Sequence, residues 1–334
     1  MILVYCVKCG EEIPEDARFC HKCGHLTTKG EEEGATYPRL NRYGWGLFKG
    51  YRRYIAEDRK SFSGPVVADR VFFEVENVNG PVRVSTWDKS EYSVELMIEA
   101  GGYTMEEAEE ILDALKIDLK EEVVQGQQRL SLKLDRPRDG WRWLSIEIDV
   151  ILPIDVEIDL DVGSSNGGIS LSHLRGGALK LGTKNGRIAL DDVSAKKITC
   201  RTSNGHMILD NVSAETIRGE TSNGQIEGVV ESKDASLSTS NGKIDLTLPC
   251  TISGDYDLHT SNGRIDLNVS GSGEVGYSLD LHTSMSKIYV DLPDLEYRKH
   301  RRTQIIARTV GLESKNVQIT IEADTSLGKI KINS

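Results

Sequence analysis

Cys6, Cys9, Cys20 and Cys23 make two Cys-x-x-Cys pairs separated by ten residues. Two residues between thiolates let one tight turn aim both sulfurs at one metal. Two such turns facing each other give the tetrahedral four-sulfur set that zinc prefers. Gly10 and Gly24 follow the pairs, where the turn favours a residue that accepts φ > 0. With four thiolate ligands the site is closed: it stabilises a fold and leaves no open position for a reacting water. His21 and His25 read as exposed neighbours of the site. In a reducing compartment such pairs are metal ligands, not disulfides. The remaining cysteines, Cys200 and Cys250, fall at different points of the repeat described below and are not expected to pair.

Residues 5–26 resemble the short zinc-ribbon modules found at the N-termini of many bacterial and archaeal proteins. The resemblance implies an interaction or tethering module at residues 1–28, with structural zinc and a protein partner.

Residues 29–64 read as a linker. Lys29–Gly34 is polar and flexible, and from Arg39 to Lys60 seven Lys/Arg face two acids, interleaved with Tyr43, Trp45, Phe48, Tyr51 and Tyr54. Leu47, Tyr51, Tyr54 and Ile55 would share one face of a helix. Such a basic-aromatic helix either docks on the end of the following domain as a cap or meets a membrane surface or nucleic acid.

The elements that follow are repetitive. Asn-Gly recurs at Asn166, Asn185, Asn204, Asn223, Asn241 and Asn262, at spacings of 19, 19, 19, 18 and 21. The longer phrase Thr-Ser-Asn-Gly begins at Thr202, Thr221, Thr239 and Thr260, with degenerate copies at Thr283 and Thr325. Three residues after the Asn stand Ile169, Ile188, Met207, Ile226, Ile244 and Ile265; four before it stand Val162, Leu181, Cys200, Gly219, Leu237 and Leu258. Positions five after and six before are likewise mostly apolar. Each repeat therefore holds two short strands of period-2 burial. An up-and-down antiparallel sheet would use Asn-Gly as hairpin turns. A β-solenoid explains more, because whole columns match in type when like residues stack at ~4.8 Å. We expect a mainly β chain built as a β-solenoid of ~19-residue rungs, with Asn, Ser and Thr in corner ladders and Gly supplying a φ > 0 bend.

The phrase Thr-Ser-Asn-Gly-x-Ile resembles the putative-adhesin family of β-helical domains, most of them without known function. Val75–Val84, with Asn79-Gly80, resembles that family's opening rung. A short helix at Thr104–Leu115, N-capped by Thr104, and strands leading to Leu152-Pro153 fit as well. The resemblance covers about residues 65–334. Met285 and Leu327 depart from the Asn column, 42 residues apart.

Few residues break the repeat with chemistry of their own. His259 and His282 each precede a corner Thr and would stack on adjacent rungs, a pair without a third metal ligand. The column after Asn-Gly reads Gly168, Arg187, His206, Gln225, Lys243, Arg264, Lys287 and Lys329. It faces solvent by parity, as a basic stripe ~35 Å long. Such a stripe could hold a polyanion, or be cancelled by Asp245, Asp266 and Glu227 beside it. There is no Ser-His-Asp arrangement, phosphate loop or H-E-x-x-H motif.

The 334 residues carry a net charge of −11, which opposes bulk attraction to nucleic acid or anionic lipid. No secretory signal and no run of ~18 apolar residues is evident, so a cytoplasmic location is expected. The expectation is a non-enzymatic scaffold or interaction protein: the ribbon tethers, and the solenoid offers a rigid surface or self-associates through its ends. The alternatives are a regulator binding a polyanion or membrane surface, and a carbohydrate-active β-helix enzyme.

Overall fold

The computed structural model describes residues 3–5, 12–14, 54–136, 143–270 and 274–334. The chain divides into two compact units, Met1–Tyr51 and Arg52–Ser334. In the first, β1 (Leu3–Tyr5) and β2 (Glu12–Pro14) pair antiparallel, with Val4 opposite Ile13. Cys6, Cys9, Cys20 and Cys23 lie outside the described residues.

The second unit opens with β3 (Tyr54–Pro65), β4 (Arg70–Glu76), β5 (Val82–Trp87) and β6 (Glu91–Gly102). Helix α1 (Met105–Ala114) follows, with the Thr104 hydroxyl accepting from the Glu107 N–H at 3.2 Å as its N-cap. Then come β7 (Lys116–Val124), β8 (Gln127–Asp135) and β9 (Trp143–Pro153). The expected basic-aromatic helix is a strand where the structure describes it. From Tyr54 to Pro65 every residue of β3 pairs antiparallel with β6, so residues 54–64 belong to the sheet and not to a linker. An open β6 edge would leave a row of unpaired backbone groups, and the strand satisfies them where a helix could not.

The repeats begin at β10 (Glu157–Ser164) and continue through β11 (Ile169–Thr183), β12 (Ile188–Arg201), β13 (Met207–Thr221) and β14 (Ile226–Thr239). All four neighbouring pairs are parallel, with Ile188 on Ile169, Met207 on Ile188 and Ile226 on Met207. The fold is a β-solenoid, and the expected inward columns are buried. Like side chains stack because the pitch repeats and every rung turns at the same residues.

A rung here is not two short strands but one bent strand running between successive Asn-Gly corners. The bend falls at His173, Asp192 and Asn211, each with φ of 52–53°. These residue types tolerate the left-handed region, Asn and Asp through their short polar side chains. Beyond the bend stands a further buried column, Leu174, Val193, Val212 and Val230.

Later rungs break into shorter strands: β15 (Ile244–Leu248), β16 (Gly254–Thr260), β17 (Ile265–Val269), β18 (Val275–Thr283) and β19 (Ile288–Asp291). The hairpin β20 (Leu295–Arg301) and β21 (Gln304–Thr309) precedes β22 (Val317–Thr325) and β23 (Ile330–Asn333). Spatial order departs from chain order at both ends. The last rung of the chain, β22–β23, lies between β16–β17 and β18–β19, parallel to both. The first rung, β4–β5, likewise lies between β8–β9 and β10–β11. The 42-residue gap between Met285 and Leu327 completes the outer rung with β19, folds the β20–β21 hairpin and returns through β22 to fill the inner rung.

Candidate interaction surface

The Asn-Gly corner is held by two ladders. On the outside, each Asn amide donates to the side-chain oxygen of the Asn one rung earlier. The row runs from Asn79 through Asn166, Asn185, Asn204, Asn223 and Asn241 to Asn262, at 2.6–2.7 Å throughout. On the inside, buried Thr hydroxyls accept from the Gly N–H three residues on and donate to the Gly carbonyl of the neighbouring rung. Thr202 does so to Gly205 at 3.1 Å and Gly186 at 3.0 Å. Satisfying both functions of a buried hydroxyl removes the penalty for burying it.

The corner glycines are needed for space, not for φ. Gly167, Gly186, Gly205 and Gly224 are absent from the positive-φ residues. A Cβ on Gly205 would lie 1.7 Å from the Gly186 carbonyl oxygen, and the same holds along the column. The expected φ > 0 bend is thus corrected: the backbones stack too closely to admit a side chain.

The basic stripe divides into two regions. In the middle of the wall it is neutralised: Lys243 contacts Asp245 and lies 3.2 Å from Asp266, and Arg264 lies 2.9 Å from Asp266. His206 accepts from the Gln225 N–H through Nδ1 at 3.3 Å. Arg187 is exposed, with no carboxylate at ion-pair distance among the described residues. At the C-terminal end Lys329 and Lys287 have no such partner either. Lys329 stands one rung further in, and Lys287 stands beside the β20–β21 hairpin, whose run Arg298–Arg302 is all Arg, Lys and His. The hairpin turn sits on this rung: the Ile288 N–H donates to the Arg302 carbonyl at 3.1 Å, and the Arg302 guanidinium to the Met285 carbonyl at 3.3 Å.

This is also where the asparagine ladder stops. The next two corner positions beyond Asn262 are Leu327 and Met285, 51% and 67% exposed. Their backbones keep the corner pattern, Leu327 N–H to the Ser261 carbonyl and Met285 N–H to the Ser326 carbonyl.

His259 and His282 are not on adjacent rungs, as expected, but flank Asp324 of the inserted rung. Their Nδ1 atoms lie 3.3 and 2.7 Å from its two carboxylate oxygens. All three groups are about half exposed, so the cluster ties the inserted rung to its neighbours with the modest strength of surface pairs. Among the described residues no group of three or more His, Cys, Asp or Glu is arranged to hold a metal. Cys200 and Cys250 are buried free thiols, with burial pushing them up to about 12 and about 11.

On the opposite flank of the corner a groove of about 820 Å³ runs over Gly163 and Gly182. Two of its cations are paired, Lys180 with Asp161 at 2.8 Å and Arg201 with Glu220 at 2.9 Å, and Glu74 accepts from the Ser131 hydroxyl at 2.5 Å. Arg136 donates to the Asn77 side-chain oxygen, and burial lowers its pKa.

A family model described as Toastrack DUF4097 matches residues 114–333, and a zinc-ribbon domain model matches residues 5–26. No curated protein matches the chain. Several solved structures share low identity. A putative adhesin from Parabacteroides distasonis is 13% identical at a TM-score of 0.44, over 82% of this chain and 97% of that one. A putative adhesin from Bacteroides fragilis is 12% identical at 0.41, with the same coverages. A putative lipid binding protein from Parabacteroides distasonis is 13% identical at 0.42, over 83% of this chain and 97% of that one. The Toastrack model alone spans well over half of the residues and all the repeats from Asn166 onward, and on that ground the chain belongs to the Toastrack DUF4097 family.

Proposed function

We propose that the protein is a non-enzymatic interaction module. The ribbon at residues 1–28, holding zinc on Cys6, Cys9, Cys20 and Cys23, tethers it to a protein partner, and the solenoid is a rigid surface for recognition. The observation that carries this reading is a contrast along one wall. Its middle is locked by ladders and, Arg187 apart, its cations Lys243 and Arg264 are neutralised by Asp245 and Asp266, whereas the C-terminal rim sets several unpaired cations beside exposed apolar side chains. A stiff, self-satisfied wall ending in one unsatisfied rim is the form of a presenting scaffold.

End-to-end stacking fits less well. The outermost strands β3, β7 and β20 run antiparallel to their neighbours. They carry charges such as Asp58, Arg59, Lys120, Glu122, Arg298 and Arg301, and charged edges discourage pairing with another chain. We place the protein in the cytoplasm, where its two buried free thiols and its Cys-x-x-Cys pairs stay reduced.

The test is affinity capture with the full chain and with a Cys6→Ser/Cys20→Ser double variant. A protein recovered by the first and lost by the second supports the tether. Recovery of the same material by both removes the ribbon from the account.

A further inference from the structure

We propose that the C-terminal rim of the solenoid is a docking surface for an anionic lipid bilayer. This names one partner of the interaction role proposed above, and it rests on that reading only in treating the rim as a recognition surface.

Three observations meet at the rim. The first is a broken rule: every corner from Asn79 to Asn262 carries an asparagine bonded to the one before it, and the next two carry Leu327 and Met285. Their backbones keep the corner geometry, so the fold does not demand the change; an asparagine would continue the ladder. Two large apolar side chains instead point into solvent, with Tyr289, 50% exposed, on the same rung as Met285.

The second is unbalanced charge. Lys287, Lys329, Lys331, Arg298, Arg301 and Arg302 have no carboxylate at ion-pair distance among the described residues, whereas Lys243 and Arg264 on the same wall do. The nearby acids Glu296 and Glu313 are taken up by Arg308, at 3.7 and 3.5 Å, Asp266 opposite Lys331 is shared by Lys243 and Arg264, and Asp291 and Asp294 are the exposed acids left between β19 and β20. In a chain of net charge −11 this concentration of cations is local and one-sided.

The third is placement. Lys331 stands opposite Tyr289 in the β19–β23 pairing, Arg302 bonds to Met285, and Lys287 and Lys329 each follow their corner by two residues. Exposed apolar tips are therefore framed by cations. A soluble polyanion would use the cations and gain nothing from Leu327 and Met285. A bilayer with anionic headgroups uses both, because the apolar groups enter the acyl boundary while the cations stay among the headgroups.

The experiment is vesicle flotation of the full chain with zwitterionic phosphatidylcholine vesicles and with vesicles containing phosphatidylserine. The expected result is binding to the anionic vesicles alone, weakening as salt rises. A basic residue near an anionic surface is worth about fivefold in affinity, so Arg298→Glu/Arg301→Glu/Arg302→Glu should lower binding by about a hundredfold or more. Met285→Asn/Leu327→Asn should keep the fold, since the ladder accepts asparagine, and still weaken vesicle binding severalfold. Absence of binding, equal binding to both vesicle types, or no effect of the asparagine pair overturns the proposal. So does heparin binding without vesicle binding, which would leave a polyanion site. If vesicle binding fails while cysteine-dependent capture persists, the lipid assignment alone falls; the converse removes the tether alone.

Discussion

The Thr221 hydroxyl donates to the Gly205 carbonyl of the preceding rung at 3.1 Å, while accepting from the Gly224 N–H of its own corner at 3.2 Å. One buried oxygen thus closes a turn and joins two rungs. Thr221→Val keeps the shape and leaves both partners buried without a bond, a loss of roughly 2–4 kcal/mol. Thr221→Ser keeps both bonds and drops one methyl, for about 1 kcal/mol. Denaturant midpoints of the two variants should separate in that order; equal midpoints would mean the bonds contribute nothing.

The corner glycine is the stricter requirement. In Gly205→Ala the new methyl would stand 1.7 Å from the Gly186 oxygen, and the obstacle is backbone. The stack must open there, so the expected cost exceeds about 4 kcal/mol, among the largest for single substitutions. Gly182→Ala, where a Cβ meets nothing within 4 Å, is the control. Soluble yield and circular dichroism should collapse for the first variant and stay unchanged for the second.

Alkali should unfold the solenoid in a defined window. Burial pushes Cys200, Tyr92, Tyr256 and Tyr277 up to about 12 and Cys250 up to about 11. In the folded state these groups stay neutral, whereas the unfolded chain ionises near 9 for Cys and 10 for Tyr. The unfolded state therefore releases protons first, and stability is lost as pH rises from about 9 to about 12. Unfolding followed by circular dichroism should steepen through that interval and be flat from pH 7 to 9. Cys200→Ala should make the loss shallower across that interval, with Cys250 still setting its onset near pH 9.

Zinc should be present at one ion per chain. Cys20→Ala should lose it while the thermal transition of the solenoid stays in place, because the ribbon and the solenoid are separate compact units. Metal analysis beside calorimetry checks both halves. A shifted solenoid transition would show that the two units stabilise each other.

What could be read from residues alone was what repeats. The columns headed by Ile188 and Cys200 are buried as expected, because period-2 burial at a constant pitch puts each residue type on its own kind. The Thr104 cap and its helix were legible for the same local reason. The bend at His173, Asp192 and Asn211 left a weaker signal: three residue types tolerant of φ > 0, at a common offset of seven after the Asn. The helix expected through Tyr54 failed because a long-range partner, β6, decides that segment. Leu327 and Met285 were visible as departures, but their place at the rim depends on a crossing of strand order that no local pattern encodes. The same crossing separates His259 from His282 and sets Asp324 between them.

That crossing also dictates an order of assembly. Among the described residues, β18 and β19 pair with the inner rungs of the solenoid only through β22 and β23. A ribosome releasing this chain delivers the outer rung first, and that rung has no neighbour to template it until the final strands emerge and slide into place. The last residues act as a keystone: removing residues 317–334 would strip two strand edges at once and set the C-terminal cap adrift. Until β22 and β23 are in place, the nascent chain passes through a stage with an exposed edge in the middle of its own stack.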